Sequence, residues 1–365
     1  MSKICFVAQF PPPIHGLSKA VDTLYNSELN EEFEFEKVDI TNNKNFLKNV
    51  STIRRSDADL FYFTISQTKG GNLRDLLYLK AIGKRKCLIH LHGGYYRTMV
   101  DGMSGWQKKA NFKAIGKLSG AIVLGPSLKW IFKDMISEDR VYTVANCVDD
   151  TYLLSDEEFE RKVSSIDTRT VKHVLYLSNF FRTKGYPEVL EMAKIEKEKV
   201  ESGSERRFHF DFAGAFFDAE EEEFFRSFVK ENDLEDYVTY HGVVSGEKKR
   251  DILNSADVFC LLTTYPREGQ PISILEALGN GMVVVTTNHA GIGDIVDHDN
   301  AIIIDKDNSN KAAEAYKALE EADFAVMERN GRYSVKSNFM QKNYIDSMKN
   351  TFEQVIGLDT GATNE

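Results

Sequence analysis

The sequence predicts an α/β protein built from two similar halves, each a parallel sheet covered by helices. Strand-like runs alternate with helix-periodic stretches along most of the chain, the pattern of repeated βα units. The alternation pauses over a polar, acidic stretch from Asp149 to Thr170 and then restarts. With 365 residues, 42% hydrophobic and 28% charged, the chain is long for one core and ordinary for two globular domains. Domains over 1–150 and 165–335 follow, with a linker near 150–170.

The elements of the first half read KICFVAQ, FEFEKVDI, DLFYFTIS, KCLIHLH, AIVLG and VYTVA. Each is β-branched or aromatic and bounded by polar residues. The second half repeats the scheme with VKHVLYLS, RFHFDFAG, VTYHG, DVFCLLTT, MVVVTT and AIIID. A last helix over about 338–357 carries Met340, Tyr344, Ile345, Met348, Phe352 and Val355 at near-helical spacing, an amphipathic helix that packs on another part of the chain; the first domain is the expected partner. The tail LDTGATNE is polar.

Several function classes are excluded. The apolar runs Met282 to Val285 and Ala301 to Ile304 fall far short of the roughly 20 residues of a membrane span. MSKICFVAQF has no cleavage site of small residues, so it does not read as a signal peptide, and a cytoplasmic location is expected. Four cysteines lie far apart without CxxC spacing and read as reduced core residues. A formal charge of -10 speaks against nucleic acid, yet residues 1–150 carry 21 Lys and Arg against 16 Asp and Glu. An anionic surface would therefore be met by the first half. A dinucleotide fingerprint is missing, because PPPIHGLSKA holds only Gly16 and AGIGDIV has Val296 where a third glycine is needed. Asp57 and Asp59 precede their strand, and the pairs in DHD and DKD read as turns, so no catalytic metal and no cofactor are expected.

YPREGQPISILEALGNGMVVVTT, after a strand, holds the most chemistry. Pro271 suits a first helical turn, Ile272, Leu275 and Leu278 recur at helical spacing, and GNG stops the helix. Glu268 then sits in the loop at the strand's carboxyl end and Glu276 inside the helix. The helix start at Gln270 to Ser273 offers N–H groups and a positive dipole end to a phosphate. Residue types alone leave two readings: a capping Glu268 with a solvated Glu276, or two carboxylates that bind hydroxyl groups beside a diphosphate.

The segment EGQPISILEA resembles the E-x7-E segment of the retaining family 4 glycosyltransferases, whose GT-B fold has two Rossmann-like domains facing a central cleft. By that resemblance Glu268 meets the transferred sugar and Glu276 the ribose. Gly269 and Gln270 lie between, and Pro271 leaves phosphate donation to Gln270 or Ile272. LSNFFRTKGYPEVLEMA is similar to the family's basic motif, with Lys184 as its lysine, Asn179 at the arginine's place and Arg182 as substitute. Two cations there would neutralise the departing diphosphate. VTYHGVVSGEKKRDILNSADVF resembles the segment whose backbone near Val244 holds the base. NHAGIGDIVD is similar to a glycine turn, with Ala290 for a glycine and Asp294 for a glutamate. PPPIHGLSKAV resembles the loop that approaches the diphosphate, with His15 at a common glycine position and Gly16 keeping the close approach. In LIHLHGGYYR, period-two alternation puts His90 and His92 on one face and does not separate them. The resemblance assigns the sugar-contacting role to His92, next to the glycines. VYTVANCVDD is similar to the ending of the family's first domain, with Cys147 for a glycine.

The resemblance implies a retaining, metal-independent glycosyltransferase that uses a nucleotide-sugar donor, UDP-linked, and a glycan or lipid-linked glycan acceptor in cell-surface polysaccharide synthesis. A GT-B UDP-sugar epimerase and a non-catalytic partner of another transferase share the fold and stay open. Residues 97–133 hold seven Lys and Arg against one Asp, with Lys109, Lys113 and Lys117 on one helical face near Trp106. Such a segment is either a solvated helix or a peripheral contact with an anionic membrane.

Overall fold

A computed structural model describes residues 1–12 and 16–357 of the chain. His15 and the tail from Leu358 lie outside the described residues. All twelve expected runs are strands. They form β1 (Ser2–Ala8), β2 (Phe33–Asp39), β3 (Leu60–Thr64), β4 (Cys87–His90), β5 (Gly120–Val123) and β6 (Val141–Thr143) in one sheet. A second sheet holds β7 (Lys172–Leu177), β8 (Phe208–Ala213), β9 (Val238–Tyr240), β10 (Val258–Leu261), β11 (Val283–Thr287) and β12 (Ala301–Ile304). Every ladder in both is parallel. The orders are β2-β1-β3-β4-β5-β6 and β12-β11-β10-β7-β8-β9. Strand order thus reverses between β1 and β3 and between β7 and β10, and open α/β sheets bind ligands outside the strands' carboxyl ends at such points.

The chain divides into two units, the first made of 1–147, 267–270 and the chain from Gln341, the second of 148–266 and 271–340. In the first unit, alternation sends Cys5, Val7, Phe61, Phe63 and Ile89 to one face of the sheet. The helices Phe46–Arg55, Lys69–Ile82, Tyr96–Asp101 and Gly105–Ile115 contribute to the core on that face. Ile4, Phe6, Tyr62 and Leu88 face the other way, with the Gly16–Tyr25 and Gln341–Ile356 helices. Phe352 closes that core with ring centroids 6.3 Å from Phe6 and 5.8 Å from Tyr62. The last helix begins at Gln341, because Phe339 caps a separate helix, Phe324–Asn338.

The stretch expected as a linker is ordered. Ser155 and Glu158 form a reciprocal capping box that starts a helix over Asp156–Ser164, with acidic residues in its first turn and Arg161 and Lys162 in its last. Phe159 and Val163 are buried there with Leu154. Composition hid this helix, because its charges sit where the helix dipole favours them.

Candidate active site

In the second unit the reversal point between β7 and β10 is tied by backbone bonds. The Thr183 carbonyl after β7 accepts from the Thr264 N–H at 2.7 Å. Gly185 follows with φ +87°, and a Cβ there would stand 2.6 Å from the Leu262 carbonyl oxygen, so this position requires glycine twice over. The turn fixes Lys184, whose Nζ lies 4.8 Å from the Tyr265 ring centroid. Arg182 is committed differently. Its guanidinium lies 3.4 Å from Glu220 and 3.5 Å from Glu221 and sits over Phe224 at 4.4 Å. Of the two cations expected on a diphosphate, one is thus engaged by the acidic start of the Ala219–Glu231 helix.

The Ile272–Gly279 helix starts one residue later than proline chemistry suggested. Pro271 is its N-cap, with ψ 117°, and makes no side-chain capping bond. Its missing N–H therefore precedes the first turn, and the amides of Ile272 and Ser273 lead the helix. Glu276 is buried within it, 3% exposed. Lys249 Nζ, from the Gly246–Ser255 helix, pairs with Glu276 Oε1 at 2.6 Å and lies 4.4 Å from the Tyr152 ring centroid. Lys249 was not singled out in the sequence; its place in a charged run, GEKKRD, carried no signal.

Lys162 holds those two helices together from below. Its buried Nζ donates to the Asn280 carbonyl at 2.9 Å and the Leu253 carbonyl at 3.2 Å, the C-terminal ends of the helices that carry Glu276 and Lys249. Burial pulls its pKa down to about 8, against the neighbouring charges of Asp257 and Glu328. Val244, half-buried, lies just before the Ser245 cap of the Lys249 helix. Ala290 adopts φ +52°, a left-handed backbone where glycine is favoured, and opens the turn that ends at Asp294.

In the first unit the structure separates the two histidines. His90 is fully buried, with Nδ1 2.8 Å from the Tyr62 hydroxyl. Burial first, and then the neighbouring His92, hold its pKa well below the ordinary value. His92 is half-buried just beyond β4, its ring stacked 3.9 Å from that of His90. The segment 267–270 belongs to this unit, and it meets the His92 turn glycine on glycine. A Cβ on Gly269 would lie 3.0 Å from the Gly93 Cα, and one on Gly93 only 2.7 Å from the Arg267 carbonyl oxygen. Glu268, 6% exposed, is thereby held in a segment packed on Gly93, the residue after His92. Gln270 faces Asn146: its Oε1 accepts the Asn146 N–H at 3.1 Å and its carbonyl accepts from Asn146 Nδ2 at 2.9 Å. The Gln270 side chain thus anchors the segment to the end of the first unit. Gly16 is exposed at the start of the Gly16–Tyr25 helix, after β1.

Both carboxylates of the E-x7-E segment are buried, so Glu276 is not a solvated side chain. Each instead stands at the carboxyl-end region of a sheet, one beside a histidine and glycine turn and one beside a lysine.

Comparison with known proteins finds similarity in family and in fold. The pattern of the glycosyl transferases group 1 family matches residues 156–335. WcaL of Escherichia coli K12, named as a colanic acid biosynthesis glycosyltransferase, is 28% identical over 125 residues, 32% of this chain and 31% of that protein. The amylovoran biosynthesis glycosyltransferase AmsK of Erwinia amylovora is 35% identical over 74 residues, 19% of this chain and 18% of its own. The chain thus spans less than a third of either relative. The solved structure of Anabaena HepE in complex with UDP-glucose superposes with a TM-score of 0.71 at 16% identity, covering 97% of this chain and 100% of that one. Among the described residues no helix is long and apolar enough to cross a membrane. Residues 156–335 thus match the glycosyl transferases group 1 family, and the chain has the GT-B fold.

Proposed function

We propose that the protein is a retaining, metal-independent glycosyltransferase that moves a sugar from a UDP-sugar to a glycan or lipid-linked glycan during cell-surface polysaccharide synthesis. The observation that carries this reading is the pair of buried carboxylates, Glu268 beside the His92 turn and Glu276 paired with Lys249. Glu276 accepts from the ribose hydroxyls, with Lys249 fixing its orientation. The Ile272 amide and the Lys184 ammonium meet the diphosphate, the backbone near Val244 meets the base, and Gly16 permits close approach. Lys184 bears the growing leaving-group charge, and Arg182 joins it on release from Glu220 and Glu221. Glu268 and His92 orient the sugar and stabilise charge at its reacting carbon. The glycosidic C–O bond to phosphate breaks, the acceptor oxygen bonds the same face, and the departing phosphate oxygen takes the acceptor proton.

The UDP assignment leans on the HepE complex with UDP-glucose, and the polysaccharide assignment on the names of WcaL and AmsK. A cytoplasmic enzyme whose basic 97–133 segment touches the inner membrane face belongs to the same reading. A panel of UDP-, GDP- and dTDP-sugars tests it, scored first by thermal stabilisation and then by hydrolysis and transfer. Glu268→Gln and Lys184→Ala each lower turnover strongly while the protein stays folded. Near-normal turnover in both overturns the assignment.

A further inference from the structure

We infer that Tyr344, Tyr62 and His90 form a buried hydrogen-bonded relay that positions His92, holding its imidazole in one orientation. All three are positioning residues and act through His92. Tyr62 and His90 lie on the neighbouring strands β3 and β4, and Tyr344 comes from the Gln341–Ile356 helix. The relay rests on the proposed transferase only for its purpose, since His92 orients the sugar in that reading.

β3 and β4 run in register, with Tyr62 opposite Leu88 and Thr64 opposite His90, so all four side chains share the face that the Gly16–Tyr25 and Gln341–Ile356 helices cover. The core there is built from apolar residues such as Ile4, Phe6, Leu88 and Ile122. His90 departs from it. It is fully buried, burial holds its pKa well below the ordinary value, and its Nε2 has no hydrogen-bond partner among the described residues. A leucine would cost less at such a place, because a ring nitrogen taken out of water without a partner loses its hydrogen bonds and gains none. An unpaired polar atom kept in a core points to a use other than packing.

The other ring nitrogen shows that use. Tyr344 donates its hydroxyl proton to the Ala20 carbonyl at 3.3 Å, so in its bond with Tyr62 it accepts. The Tyr62 proton is then engaged as well, and the Tyr62 oxygen accepts from His90 Nδ1 at 2.8 Å. His90 is thus the Nδ1–H tautomer, with a bare lone pair on Nε2. Tyr62 has no room to turn, because Phe6 and Phe352 lie against its ring at centroid distances of 5.0 and 5.8 Å. With its plane fixed, the His90 ring becomes the platform on which His92 stacks, the centroids 3.9 Å apart and the planes inclined by 32°. A neutral platform also leaves any proton to His92 alone, since a second charge at that distance would oppose it. A group that meets substrate needs such support behind it, because small errors of placement lower the rate steeply.

The test labels the full chain with heavy-nitrogen histidine, eight residues in all, and reads the ring-nitrogen shifts by NMR, with His90→Gln and His92→Gln spectra as assignments. In the native chain His90 shows one neutral tautomer, protonated at Nδ1. In Tyr62→Phe, which removes only the hydroxyl, His90 shows both tautomers and the His92 signals move or split. Tyr344→Phe, one step further from His92, has the same effect in smaller measure, and it decides the matter if Tyr62→Phe does not fold. Thr64→Val is the control, because the Thr64 hydroxyl has no hydrogen-bond partner among the described residues, and it leaves the His92 signals in place. An Nε2–H tautomer in the native chain, or His92 signals that stay unchanged in the tyrosine variants, overturns the proposal. With the donor that the UDP-sugar panel identifies, Tyr62→Phe lowers kcat about tenfold and leaves KM within about twofold. Unchanged kcat in that variant also overturns it. If the panel yields no donor while the histidine signals behave as described, the transferase reading falls and the positioning of His92 stands.

Discussion

Gly93→Ala tests the contact that holds Glu268 beside His92. The added Cβ would lie 2.7 Å from the Arg267 carbonyl oxygen and 2.1 Å from Gln67 Nε2, whereas ordinary contact begins at 3.4 Å. Gln67 is not free to swing, since its Oε1 accepts the Tyr95 N–H at 2.7 Å. The Arg267 backbone must then retreat by about 0.7 Å, and Glu268 moves with it. Such crowding costs about 1–3 kcal/mol of stability. A displacement approaching 1 Å at a reacting group costs up to ~10²-fold in rate, so kcat should fall ~10- to 100-fold. Donor-binding groups of the second unit are untouched, so the thermal shift induced by UDP should persist. The assay pairs turnover at saturating donor with that shift, and Gly70→Ala, whose Cβ meets nothing within 4 Å, is the control. Turnover within about twofold of the native protein, with the expected loss of stability, would refute the argument that this turn positions Glu268.

Four further outcomes follow from the same geometry. Lys249→Met leaves Glu276 buried without its cation, costing about 3 kcal/mol by thermal denaturation and weakening UDP in calorimetry. Lys162→Met removes two helix-end bonds and lowers stability by about 2 kcal/mol. Because the folded pKa of Lys162 lies below its unfolded value, native stability should rise with pH from about 8 to 10.5, a slope that the variant loses in Tm measurements. Ala290→Gly relieves a left-handed alanine and should raise stability by about 1 kcal/mol, read as a Tm increase of ~2–4 °C. The hydrogen bond that His173 donates to Asp211 raises the His173 pKa above 6.5, so its contribution is full below that pH and fades as pH climbs through the folded value. Burial lowers the His209 pKa, so its effect stays below 6.5. Tm should therefore decline just above pH 6.5 in the native protein, before the rise from Lys162 sets in near 8, and stay flatter there in Asp211→Asn.

Strand positions were legible because β-branched runs between polar stretches have few alternatives as buried parallel strands. The need for glycine at Gly185 and Gly93 shows only in the structure, where each occupies a turn that no side chain would fit. What the sequence could not convey was partnership across distance. His90 and His92 have the same parity, and only the Tyr62 hydroxyl and the end of β4 tell them apart. Arg182 and Lys184 look alike as cations, and nothing in the sequence tells that Arg182 meets Glu220 and Glu221. Lys249 stood among neighbours of the same charge, and its meeting with Glu276 depends on how two helices cross.

The Gln341–Ile356 helix also sets an order of events at the ribosome. The second unit's two stretches lie almost next to each other in sequence, but the first unit lacks Tyr344, Met348 and Phe352 until about 190 further residues have been made. At ~5–20 residues per second, the apolar side of the first sheet waits for ~10–40 s. During that interval Phe6, Tyr62 and Leu88 lack one of the two helices that cover them. The first half to be synthesised is thus the last to finish folding, and its demand for chaperones should end when the closing helix emerges.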